Sequence, residues 1–115
     1  VNSERTNRLI HEVSAWIDNS PDNQGRDREA LLWGRVAKVT EEAGEVIEKL
    51  VGMTGQNPRK GRSATRADVE YELLDVALTA LAALAHLRAD DPHPPDLLGL
   101  LARHVEVVAR RADLL

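Results

Sequence analysis

Residues Val69 to Leu87 read VEYELLDVALTALAALAHL, nineteen residues with no Gly and no Pro. At about 100° per residue, Val69, Leu73, Leu74, Val76, Leu78, Leu81, Leu84 and Leu87 spread over most of a helical circumference. A helix that is apolar nearly all round is buried nearly all round. One four-helix layer covers such a helix poorly. The stretch therefore predicts an all-α fold, a four-helix bundle completed by homo-oligomerisation, as a homodimer or homotetramer.

The flanks supply the other helices. A first helix is expected from about residue 4 to 18, with Leu9, Val13, Trp16 and Ile17 at helical spacing, and it stops at the turn-rich DNSPDNQG. Asp27 caps a long second helix that continues to Gly52, with a core face through Val36, Val39, Ala43, Val46, Ile47 and Leu50. The loop GMTGQNPRKGRSA follows. Thr65 and Asp68, three apart in TRAD, then form a capping-box pattern that opens the third helix, which lasts to about Arg88. The three prolines of DDPHPPD break the chain, and Pro95 is expected in the first turn of a fourth helix bearing Leu97, Leu98, Leu101, Val105 and Val108. Residues 1–115 read as a single domain.

Composition narrows the function classes. Net charge is −4, there is no Phe, and Trp16, Trp33 and Tyr71 are the only aromatics, so polymeric nucleic acid is an unexpected partner. Asp75 interrupts the longest apolar run, which is too short to span a bilayer; no membrane insertion is expected. The opening VNSERTNRLIHEV lacks the pattern of a secretory signal, and the absence of cysteine fits a reducing compartment, so cytoplasmic is the default localisation.

Acidic residues gather in two places. In KVTEEAGEVIEKL, Lys38 to Leu50, four glutamates fall within eight residues. Glu42 and Glu45 are three apart, as are Glu72 and Asp75 on the third helix, where Glu72, Asp75, Thr79 and His86 form one narrow polar stripe. Asp68 and Glu70 are explained by the helix dipole. Asp75 is not, because an unpaired carboxylate two turns into an apolar helix costs several kcal/mol. Two such pairs on neighbouring helices could meet, and Lys38 and Lys49 are too few to neutralise them. Clustered carboxylates without nitrogen or sulfur ligands select a hard cation, Mg²⁺ or Mn²⁺.

EEAGE at Glu41 to Glu45, followed after 26 residues by ELLD at Glu72 to Asp75, resembles the E-E-x-x-E and E-x-x-D motif pair of the MazG-like all-α nucleoside triphosphate pyrophosphohydrolases. The resemblance covers about residues 8 to 90. It implies Mg²⁺-dependent cleavage of a nucleoside triphosphate between the α and β phosphates, in nucleotide-pool cleaning or regulation. By position it makes Glu42, Glu45, Glu72 and Asp75 the metal ligands, with Glu41 holding a further metal or deprotonating the attacking water. Where family members often carry a phosphate-contacting Tyr, this chain has Thr79. Phosphate contact then falls to Thr79 and Lys38, or to Arg59, Lys60 and Arg62 of the loop.

Plainer readings stand beside these. Lys38 can equally form ion pairs with Glu41 or Glu42. The loop cations can be a solvated surface, and Trp16 and Trp33 core or interface residues rather than platforms for a base. His86 reads as a polar residue near a helix end. Phosphoribosyl-ATP pyrophosphohydrolase and a non-catalytic helical interaction module are the competing functions. A di-iron carboxylate bundle is excluded, because no His has a Glu three residues before it.

Overall fold

The computed structural model describes residues 1–115 as four α-helices with no strand: α1 Ser3–Asp18, α2 Arg28–Thr54, α3 Arg66–Leu87 and α4 Leu97–Arg111, with a short 3-10 turn at Pro21–Asn23 between α1 and α2. Each helix begins on a side chain that accepts a backbone N–H otherwise left unpaired. Asn2 serves α1, Asp27 α2, Thr65 α3 and Asp96 α4. At Thr65 the reciprocal half is also present, since the Asp68 carboxylate accepts from the Thr65 N–H at 2.8 Å.

Two boundaries differ from expectation. α2 continues past Gly52 to Thr54, because the left-handed residue that ends it is Gly55, with φ 69°. Gly52 is small for another reason: a Cβ there would sit 2.8 Å from Ser63 Oγ and 3.1 Å from the Ala64 Cβ, while the Ser63 N–H donates to the Gly52 carbonyl. Pro95 lies outside α4, not in its first turn. Asp96 takes the cap, and the Pro95 carbonyl accepts from Asn7 Nδ2 and lies 2.9 Å from His11 Nε2, pinning the entry of α4 to α1.

α3 is the centre of the fold, packed along α2 and against α1, with α4 touching α1 and α3. The core is small, formed by Ile10, Ala82, Ala85 and Leu97, with Leu81, Leu84, Leu98 and Leu100 packed around it. α4 joins through its first turn. Leu97 is fully buried, whereas every residue from Leu101 to Val108 is exposed.

The expected core face of α2 is the largest departure. Val36 and Ile47 are more than half exposed and Ala43 is exposed, Val39 and Val46 are half-buried, and the buried residues are Arg35 and Glu42, which flank that face on the side of Val39 and Val46. The buried side of α2 is thus rotated toward its polar residues, and Val36, Ala43, Ile47 and Leu50 are left on the exposed side. α3 likewise leaves Leu73 and Leu74 exposed. The accessible surface is 8622 Å², against about 6,200 Å² for a compact monomer of this mass. The radius of gyration is 17.0 Å, where about 13 Å is usual for this length.

Candidate metal centre

The polar stripe of α2 runs Arg35, Lys38, Glu42, Glu45, at spacings of three and four that keep one helix face. Across from it, α3 presents Glu72, Asp75, Thr79, Ala82 and His86. Two contacts fix the antiparallel register. Arg35 Nη2 donates to the Ala82 carbonyl at 2.9 Å, and the carboxylates of Glu45 and Glu72 belong to one cluster. Arg35 and Glu45 are ten residues apart, as are Glu72 and Ala82. The same register sets Glu42 level with Asp75 and Lys38 level with Thr79.

At one end of this seam, carboxylate oxygens of Glu42, Glu45 and Glu72 all lie within 4.8 Å of one another. Glu42 is buried, and Glu45, Glu72 and Asp75 are half-buried. Asp75 stands outside the close trio. Glu42 Oε2 and Glu72 Oε2 are buried without a hydrogen-bond partner, a costly state for acceptors that carry charge. The Glu42 carboxylate, first by its charge and then by a shared hydrogen bond, pushes the Glu45 carboxyl above the usual range, and lost hydration and Glu72 add to the shift. Orphaned oxygens converging from two helices fit a hard divalent cation, which would replace mutual repulsion with coordination.

Lys38 borders the cluster. Its Nζ lies 3.1 Å from Glu41 Oε1 and 3.3 Å from Glu42 Oε1, so the ion-pair reading holds, and the pair with Glu41 leads in holding the ammonium above its ordinary pKa. Glu41 itself is exposed. Lys38 and Thr79 also line a cavity of about 420 Å³ between α1, α2, α3 and the 3-10 turn, together with Trp16, Ile17, Asn23 and Arg26. Trp16 is 74% exposed, so it walls a cavity instead of filling the core.

The loop cations follow the end of α2. The loop begins beyond Thr54, nine residues and roughly 14 Å of helix past Glu45. Arg62 donates to the Met53 carbonyl at 3.3 Å, while Arg59 and Lys60 are exposed.

The other end of the seam holds a network that sequence reasoning missed. Arg35 donates to the Ser14 carbonyl and hydroxyl, to the Ala82 carbonyl and to Asp18 Oδ1, all within 3.1 Å. His86 Nδ1 lies 2.6 Å from the other Asp18 oxygen. His86 is therefore a tie between α3 and α1. The available signal was spacing, since Arg35 is seven residues before Glu42 and so shares its face.

Compared with protein-family models, with curated proteins and with solved structures, the chain matches none. No helix is long and apolar enough to cross a membrane.

Proposed function

We propose that the protein is a Mg²⁺-dependent nucleoside triphosphate pyrophosphohydrolase of the MazG-like type, cleaving substrate to the monophosphate and pyrophosphate as a homo-oligomer. The observation that carries this is the set of orphaned, buried carboxylate oxygens of Glu42 and Glu72 beside Glu45, at the positions of the two motifs. Glu42, Glu45 and Glu72 hold the cation, with Asp75 joining them from its place level with Glu42. A divalent ion there supplies charge neutralisation on the phosphates and a water of lowered pKa.

The chain's own groups divide the remaining work. Lys38 donates to a phosphate oxygen, and Thr79, level with it, offers a hydroxyl from the facing helix. Glu41, at the exposed edge of the cluster, accepts the proton of the attacking water on a carboxylate oxygen. The cavity beyond Lys38 and Thr79 is within the ordinary size range for a small-molecule site and would receive the nucleoside.

A panel of canonical and modified nucleoside triphosphates, assayed with Mg²⁺ or Mn²⁺ for pyrophosphate release, tests the reading. E42Q and D75N are expected to lower turnover by at least 100-fold with helix content unchanged by circular dichroism. E48Q, on an exposed residue, should retain activity. Equal activities for all three and the unmodified chain would return the cluster to a solvated helix face.

A further inference from the structure

The cavity that Lys38 and Thr79 border has two walls that are built separately. α1 supplies Val13, Trp16 and Ile17, α2 supplies Leu31 and Gly34, and α3 closes the base. α1 packs against α3 and α4, and α2 packs against α3. Between the walls the gap is open, since a Cβ added at Gly34 would meet nothing within 4 Å. Side-chain packing at this level therefore does not set its width. The hydrogen bonds that cross from α2 to α1 all belong to Arg35.

Each terminal nitrogen of Arg35 is doubly engaged. Nη1 donates to the Ser14 carbonyl at 3.1 Å and to Asp18 Oδ1 at 3.0 Å, and Nη2 to the Ser14 hydroxyl at 3.0 Å and the Ala82 carbonyl at 2.9 Å. A planar fork with its terminal donors spent is a fixed spacer. Asp18 is gripped in turn from α3, where His86 Nδ1–H donates to its second oxygen at 2.6 Å. Ser14 and Asp18 are one turn apart, and each directly follows a cavity residue, Val13 and Ile17. The turns that carry this clamp thus carry the wall.

We propose that Asp18 and His86 are positioning residues for the substrate: acting through Arg35, they fix the α1 wall of the cavity and set the affinity for the nucleoside, not the rate of phosphate cleavage. This rests on the cavity being the nucleoside site, as proposed above. A wall left mobile must be ordered when the ligand enters, and that cost is subtracted from affinity. The metal centre is insulated. Glu42 and Glu45 are seven and ten residues from Arg35, about 10 and 15 Å along α2. Loss of the His86 tie also leaves in place the Arg35 bond to Ala82 that holds the α2–α3 register.

H86L removes the donor to Asp18, while H86N returns an amide N–H close to the Nδ1 position. On the nucleoside triphosphate that the unmodified chain cleaves best, H86L is expected to raise KM roughly tenfold with kcat within about twofold, the signature of lost uniform binding, and H86N to restore most of the affinity. D18N, which weakens both ties at constant volume, replaces H86L where that chain does not fold. A second readout needs no substrate. With the exposed Trp33 replaced in W33F, Trp16 is the sole tryptophan, and its time-resolved anisotropy should report a more mobile wall in H86L and not in H86N. A folded H86L whose KM matches that of the unmodified chain would leave the network merely structural and overturn the proposal. So would a fall in kcat at constant KM, which would move the effect to the metal centre. Cleavage of no triphosphate by the unmodified chain would instead overturn the function proposed above and the substrate role with it, whereas unchanged anisotropy alongside normal cleavage would overturn the clamp alone.

Discussion

Arg35 shows how much one side chain ties together. Its guanidinium serves two carbonyls, a hydroxyl and a carboxylate on α1 and α3, and is 6% exposed. Removing it strands Asp18 beside His86 and leaves the Ser14 hydroxyl as the side-chain donor to the Ala82 carbonyl. Breaking a buried pair from one side costs about 3–5 kcal/mol, a large share of a small domain's stability. R35A should lower the urea midpoint accordingly, and R35K should recover part of the loss, since an ammonium cannot reproduce the planar fork. A midpoint unchanged in R35A would mean the network contributes nothing. Little of this was legible in the chain. A lone Arg in an amphipathic helix looks like surface charge, and its burial depends on groups 21 and 47 residues away. Glu42, Glu45 and Glu72 were legible because their partners recur at i, i+3 within each helix, so local spacing alone put them on one face.

The starts of α2 and α3 follow local chemistry, and there the sequence read well, whereas the end of α2 and the start of α4 were misplaced. Asp27 and the Thr65–Asp68 box stand where their residue types require. The Thr65 backbone N–H, and then its hydroxyl, hold the Asp68 carboxyl below the usual aspartate range. A carboxylate whose pKa is lower in the folded chain stabilises above its unfolded pKa, and that contribution is lost as pH falls through the folded one. Thermal midpoints of the unmodified chain and D68N should therefore differ at neutral pH and converge in acid below the ordinary aspartate range. A gap that stayed constant with pH would contradict the box. T65A is expected to cost about 1 kcal/mol in urea unfolding. The orientation of α2 was not legible. Its wheel offered an apolar stripe and a polar one, and an isolated helix buries the apolar one. Here the side bearing Arg35, Glu42 and Glu45 turns to α3, where Arg35 finds the Ala82 carbonyl and the carboxylates meet Glu72, and Val36, Ala43 and Ile47 are left exposed.

For the molecule as a whole, the acidic cluster and the uncovered faces both oppose stability in a lone, metal-free chain. The raised pKa of Glu45 means that its contribution is favourable below the ordinary glutamate range and is lost as pH rises through the shifted value. A cation that binds only the folded chain reverses this, adding about 2.7 kcal/mol at a hundred times its Kd. Mn²⁺ should thus raise the thermal midpoint more at pH 7.5 than at pH 4, and an equal effect at both would separate binding from the carboxylates. The contact at Gly52 carries a consequence of its own. Glu45 lies two turns before Gly52, and Glu72 lies two turns after Thr65, the residue that follows Ser63 and Ala64 where they press on Gly52. The hairpin is thus a zero mark from which two rulers of equal length are read, one along each helix. A methyl group placed at the mark moves both readings without touching either acid. G52A should accordingly weaken Mn²⁺ binding in calorimetry while circular dichroism stays constant, and undiminished affinity would show that the rulers are set from somewhere else.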